Sequence, residues 1–242
     1  MANGRVKTGF SKPYVAKYAA NGGDVSYTGC MPMARGVSVE FDLNEPSDND
    51  FYADNVTAES APGKFTGGNA NLTVDGLKYV AERFMLGLPE PTQITVDGKQ
   101  VNVTDYGEAM EIPYVGIGFL VRYMEDGVES WEPVRLNKAR LSTPGLNAQT
   151  QEEEIDWQTE DLAFALQRDD TPEHNWKRVA DAQATEEMAE KVLKALLGGD
   201  ATAQPEALEA RAEVQDAAAN VMELAEVPTK APKKKASGGE AE

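Results

Sequence analysis

The residue types that run most protein chemistry are scarce in this chain, which has one histidine, His174, and one cysteine, Cys30. They leave no pair for a Cys/His zinc site or a catalytic dyad. His174 follows Thr171-Pro172 and reads as a solvent-exposed turn residue, and Cys30 as a small buried or incidental side chain. No Gly-rich phosphate loop ending in Lys-Ser or Lys-Thr is present. Gly116-Ile117-Gly118 begins like a dinucleotide fingerprint, but the third glycine and the following helix are missing and the motif lies within a strand pattern. Glycines in that position are expected to permit close backbone approach or curvature.

Carboxylates are plentiful and need separate treatment. Asp42, Asn44, Asp48 and Asp50 carry the oxygens that calcium prefers, yet they miss the EF-hand spacing and its sixth-position glycine. A solvated acidic face is the stronger reading. Glu152, Glu153 and Glu154, followed by Asp156 and Glu160, resemble paired catalytic carboxylates. However, Glu152, Glu154, Asp156 and Glu160 alternate with apolar positions at strand spacing, which makes them the wet side of a sheet. No constellation emerges that would run a reaction, so the expectation is a non-enzyme with no metal or cofactor.

The elements that would position these residues are mainly strands up to about residue 182. Val37, Val39, Phe41 and Leu43 alternate with Ser38, Glu40, Asp42 and Asn44, the period-two signature of a half-buried strand. Glu45-Pro46-Ser47-Asp48 turns the chain, and Asp50 to Asp54 is expected to return as its partner. Gly68 to Val74 alternates over a shorter stretch. Leu77, Val80, Ala81, Phe84 and Leu88 fall at helical spacing over 77–87, with Asp75 placed as N-cap and Gly87 and Pro89 as stops. Asp97-Gly98 supplies a two-residue hairpin turn that sets Ile94 opposite Val101.

Val115, Ile117, Phe119, Val121 and Tyr123 mark the clearest long strand, and Asp126-Gly127 turns it into Trp131 to Leu141. A last long strand is expected over 151–166. There Ile155 and Trp157 differ in parity from Leu162, Phe164 and Leu166, so a bulge or kink near Thr159 to Asp161 is predicted. Trp176 to Val179 closes the sheet. The chain then changes character: Met188, Val192, Leu193, Leu196 and Leu197 form an amphipathic helix within 183–199, with Thr185 as N-cap and Gly198-Gly199 as stop. Residues 200–228 read as an Ala/Glu-rich helical extension and 229–242, with Lys233-Lys234-Lys235, as a disordered Lys-rich tail.

Across 242 residues the formal net charge is −18 and the isoelectric point is near 4.5, which argues against a nucleic-acid reader or a binder of anionic membranes. With one cysteine no intrachain disulfide can form, and Met1 to Lys7 lacks the apolar core of a signal peptide. No run of transmembrane length occurs. Synthesis and maintenance in a cytoplasm are therefore expected.

The whole pattern resembles the siphophage major tail protein family over roughly residues 9–197. The resemblance rests on Tyr14-Val15-Ala16, Gly36-Val37-Ser38-Val39-Glu40, Tyr52-Ala53-Asp54-Asn55, a helix ending in Leu86-Gly87, Pro113-Tyr114-Val115-Gly116-Ile117-Gly118-Phe119, and Gln149-Thr150 leading to Leu162-Ala163-Phe164. The Ala/Glu helix and the Lys-rich tail depart from it, standing where some relatives carry an immunoglobulin-like decoration. The resemblance implies a mainly β, tail-tube-type β-sandwich or barrel with a flanking α-helix and a C-terminal helical extension. It further implies hexameric rings stacked into a tube on a virion tail, made in a bacterial host's cytoplasm. Tape measure, tail terminator and baseplate proteins would be the partners, with genomic DNA passing through without sequence-specific binding. On that basis Glu40, Asp42, Asp50, Glu154 and Asp156 are expected to face the lumen, and Phe51, Tyr52, Ala53, Asp54 and Asn55 to contact the neighbouring subunit.

Two other structural readings share the strand pattern. One is the tube protein of a contractile injection device; the other is a virion- or cell-surface β-sandwich that binds carbohydrate or a protein partner through a concave aromatic patch.

Overall fold

Strand β9 (Val115–Glu125) carries apolar residues on both of its faces, and the fold of the computed structural model is organised around covering them. The structure describes residues 4–108, 110–143, 145, 148–150 and 157–199, which all fall within one unit. The chain is mainly β. Strands β1 (Val6–Asn21), β2 (Asp24–Pro32), β3 (Gly36–Leu43), β6 (Gly68–Val74), β9, β10 (Val128–Leu141) and β11 (Glu160–Gln167) form one antiparallel sheet in the order β2-β1-β9-β10-β11-β6-β3. The short β12 (Lys177–Val179) pairs with β10, as the sequence led us to expect for Trp176 to Val179. Two hairpins, β4–β5 (Asn49–Ala53, Val56–Ala61) and β7–β8 (Thr92–Val96, Lys99–Val103), form separate two-stranded sheets.

The main sheet curls until its two wings face each other. Phe119 on β9 meets Phe10 of β1 at 5.3 Å and Phe41 of β3 at 6.2 Å between ring centroids. Trp176 stacks on Phe65 at 4.9 Å and closes the side of this core. Leu72 and Val74 from β6, Leu162 and Phe164 from β11, and Leu136 from β10 are fully buried within it.

The second face of β9 meets helix α2 (Glu186–Leu196), whose Ala189, Leu193 and following Leu197 are fully buried against Tyr14, Ala16, Tyr18, Tyr27 and Leu120. Burying each of those leucines contributes about 2 kcal/mol. The approach is close because β9 has no side chain where the helix presses. A Cβ built on Gly118 would lie 2.7 Å from Leu193, and one on Gly116 would lie 2.4 Å from the Tyr27 ring. The glycines thus serve the close approach expected of them. Thr185 caps α2, its hydroxyl accepting from the Met188 amide at 3.3 Å, and Gly198 follows in the left-handed region.

Helix α1 (Tyr79–Leu86) corrects the sequence reading in two ways. Its N-terminus lies at Lys78 with no side-chain cap, because Asp75 instead accepts from the Arg35 amide (2.8 Å) and guanidinium. Its buried face is Ala81, Met85 and Leu86, whereas Val80 is 64% exposed. Gly87 ends it as expected, with a left-handed φ of 61° and the Glu111 carbonyl only 2.0 Å from where a Cβ would sit.

Other elements differ as well. Asn49–Ala53 does not return against β3; β3 pairs with β6, and β4 pairs with β5 around Asp54-Asn55, both with positive φ. The last strand begins at Glu160 and runs against β6 without a break in register, and residues 151–156, which it was expected to join across a bulge or kink, lie outside the described residues. Trp157 lies outside that strand, 84% exposed. Ile155 and residues 151–154 lie outside the described residues, as do the extension 200–228 and the tail 229–242. The hairpin turns at Asp97-Gly98 and Asp126-Gly127 and the strand Gly68–Val74 agree with expectation. Among the described residues no helix is long and apolar enough to cross a membrane.

Polar pairing fastens α2 to β1. Glu190 accepts from the Tyr14 hydroxyl at 2.6 Å and pairs with Lys12 at 3.1 Å and Lys194 at 2.8 Å. Burial alone would raise this carboxyl, but Lys194, Tyr14 and Lys12 outweigh it and hold it at about 2. A carboxylate whose folded value lies below its unfolded one stabilises the fold above the unfolded value, and that contribution fades as pH falls toward the folded value. Thermal unfolding followed by circular dichroism should therefore show stability lost between pH 4.5 and about 2. Glu190→Gln should be less stable than the parent at pH 7 and show a shallower decline over that window.

Candidate self-assembly surface

Three strands of one wing expose a face with an unusual charge content. On β6 and β11 the inward positions are Ala70, Leu72, Val74, Leu162, Phe164 and Leu166, all 3% exposed or less. On β3 the half-buried Val39 and Phe41 share that side. Strand alternation then turns Glu40 and Asp42 of β3, Asn69, Asn71 and Thr73 of β6, and Asp161 of β11 outward. The register places Glu40 beside Asn71 and Asp42 beside Asn69, while Thr73 donates its hydroxyl to Asp161 at 2.7 Å. None of the three strands contains a lysine or arginine.

Among the described residues the layer ends at β3, whose far edge has no partner strand, and at the other end of the sheet β2 is likewise paired on one side only. Unpaired edges present rows of free N–H and C=O groups and recruit further strands unless something blocks them.

Both hairpins are exposed along nearly their whole length. In β4–β5, Phe51, Ala53, Val56 and Ala61 share one side with Glu59, while Asp50, Tyr52, Thr57 and Ser60 share the other. Asp48 steadies its base by accepting from the Gly63 amide at 2.9 Å. In β7–β8, Ile94, Val96, Val101 and Val103 share a side with Thr92 and Lys99. The opposite side holds Gln93, Thr95, Gln100 and Asn102, with Gln93 donating to Asn102 at 3.2 Å. Phe51 and Tyr52 are each 64% exposed, and Ile94 and Val96 about half exposed. Tyr106, just beyond this hairpin, donates to Glu82 of α1 at 2.7 Å, and that bond with burial pushes its phenol up to about 12.

The residues expected to face the lumen are thus not one cluster. Glu40 and Asp42 sit together on the cation-poor face, Asp50 lies on the separate β4–β5 hairpin, and Glu154 and Asp156 lie outside the described residues. The expected contact segment, Phe51 to Asn55, is the end of β4 and the tip of that hairpin, with Phe51 and Tyr52 on opposite sides. Sequence reading missed Asn69, Asn71 and Asp161, although the alternation of Gly68 to Val74 contains the signal for the first two. It also missed the one-sided apolar character of β7–β8, which shows once Ile94 is set opposite Val101. Cys30 is half-buried, with its thiol raised by burial, and His174 lies exposed in a turn at a φ of 52°.

Comparison with protein-family models and with curated proteins finds no match for this chain.

Among the described residues Phe51 and Ile94 are exposed and belong to neither core cluster. Phe51→Ser and Ile94→Ser should therefore leave the unfolding midpoint of the dissociated subunit within about 0.5 kcal/mol of the parent in urea titrations. A core substitution such as Leu72→Ala should cost about 2–5 kcal/mol in the same measurement.

Proposed function

We propose that this chain is a tail tube subunit of a long-tailed bacteriophage, with a tail-tube-type β-sandwich that self-assembles into stacked six-fold rings around a DNA conduit. The observation that carries the reading is the outward side of β3, β6 and β11, which bears Glu40, Asp42 and Asp161 among amides and small residues and no lysine or arginine on those three strands, the bordering cations being Lys138 and Arg140 of β10. A wall past which DNA must slide cannot offer lysine or arginine, since each phosphate contact releases counterions and adds affinity. Carboxylates repel phosphates over about a Debye length, roughly 10 Å at 0.1 M salt, which suits a lining better than a long-range field.

The free edge of β3 borders this face, and the free edge of β2 lies at the far end of the same sheet. Head-to-tail contacts between unlike surfaces close into rings or extend as filaments. Such contacts would cover edges that a lone subunit leaves open. The ordered motifs that resemble the siphophage major tail proteins point the same way, with Tyr52-Ala53-Asp54-Asn55 at a hairpin tip and Pro113 to Phe119 leading into the central strand.

Negative-stain microscopy of the purified full chain at high concentration tests the reading: rings or tubes with a central hole are expected, and persistent single particles would overturn it. Phage particles carrying Glu40→Gln and Asp42→Asn should assemble normally yet eject DNA more slowly in a receptor-triggered release assay. Ejection at the parental rate would remove these residues from the lumen.

A further inference from the structure

Among the described residues, the two hairpins have the least reason to hold their shape alone. An isolated two-stranded hairpin is marginal in water, and each of these presents an apolar side that no other part of its own chain covers among the described residues. The two uncovered sides match. Each combines large apolar residues with a single charge, and the charges are opposite: Glu59 with Phe51, Ala53 and Val56 on β4–β5, Lys99 with Ile94, Val96 and Val101 on β7–β8. Neither Glu59 nor Lys99 has an ion-pair partner among the described residues. The reverse sides are polar and differ in kind, with Asp50 and Tyr52 on the first and Gln93, Gln100 and Asn102 on the second.

We propose that the apolar side of β7–β8 in one copy packs on the apolar side of β4–β5 in the next, with Lys99 set against Glu59. The inference rests on the ring-forming reading and adds to it the surface by which one copy recognises another. The contact is heterologous, since two different hairpins meet, so each subunit offers one donor and one acceptor and the series propagates until it closes. Packing of the apolar sides supplies attraction, and the charge pair fixes which hairpin faces which, because like hairpins would bring two carboxylates or two ammonium groups together. Asp50, on the reverse side of β4, stays out of the contact.

A charge-swap cycle tests this. Sedimentation velocity over a concentration series gives the concentration at which half of the protein is assembled. Lys99→Glu and Glu59→Lys should each raise it about tenfold, and the double swap should restore it to within about twofold of the parent. Urea unfolding of each dissociated variant should match the parent, which separates lost recognition from lost folding. As a second readout, assemblies grown from mixed isotopically light and heavy parental protein and coupled with a carbodiimide should yield a Lys99–Glu59 cross-linked peptide containing both labels. Assembly of the parent with single swaps that behave like it, or a double swap that does not recover, would overturn the hairpin pairing and leave the tube reading standing. A parent chain that never assembles would overturn both.

Discussion

A strand buried on both faces must be covered twice, and in this protein β9 and the middle of β1 impose that requirement on everything around them. Val115, Ile117 and Phe119 on one side of β9 need the opposing wing of the sheet; Gly116, Gly118 and Leu120 on the other need α2. The sheet curls to satisfy the first demand. The second is satisfied because the two glycines let Leu193, Leu197 and Tyr27 settle against bare backbone. Side chains at those glycines would lift the helix, and with it the ion pairs that Glu190 makes to Lys12 and Lys194.

Once α2 occupies one face and the two wings of the sheet occupy each other, the remaining surface is sorted by what it is left with. The outer side of β3, β6 and β11 is polar, acidic and regular in register. Among the described residues the edges of β2 and β3 stay open. The hairpins present apolar sides that lie outside both core clusters among the described residues. In the proposed ring, a subunit that meets copies of itself would use all of these features. Rigidity at the centre and unfinished surfaces at the margin are two consequences of one packing arrangement.

Much of this arrangement was legible in the residues, and the legible parts have something in common. Asp97-Gly98 and Asp126-Gly127 mark turns because the backbone there needs positive φ, and Thr185 marks a helix start because a hydroxyl is needed to accept an amide. The strand Gly68 to Val74 shows its buried side by simple alternation, as does the glycine pair its tolerance of a close neighbour. What misled was rivalry at a distance. Asp75 has the right type and place to cap α1, but Arg35 takes it; Val80 fits the apolar spacing, but the core lies against Met85 and Leu86. Asp50 to Asp54 was a plausible return for β3, yet β6 offers that edge Ala70 and Leu72, which continue the core, and β4 offers none.

By itself the sequence determined the local geometry of the Asp-Gly turns and the Thr185 cap, the mainly β character, the acidity and the scarcity of reactive side chains, since each depends on neighbours in the chain or on composition alone. Only the tertiary structure decided which strand claims which edge, which side of each helix is covered, and that Glu40, Asp42 and Asp161 share a face while Phe51 and Ile94 remain uncovered. The physical reason is that apolar cover is contested among segments far apart in sequence, and the outcome depends on how much surface each competitor can bury.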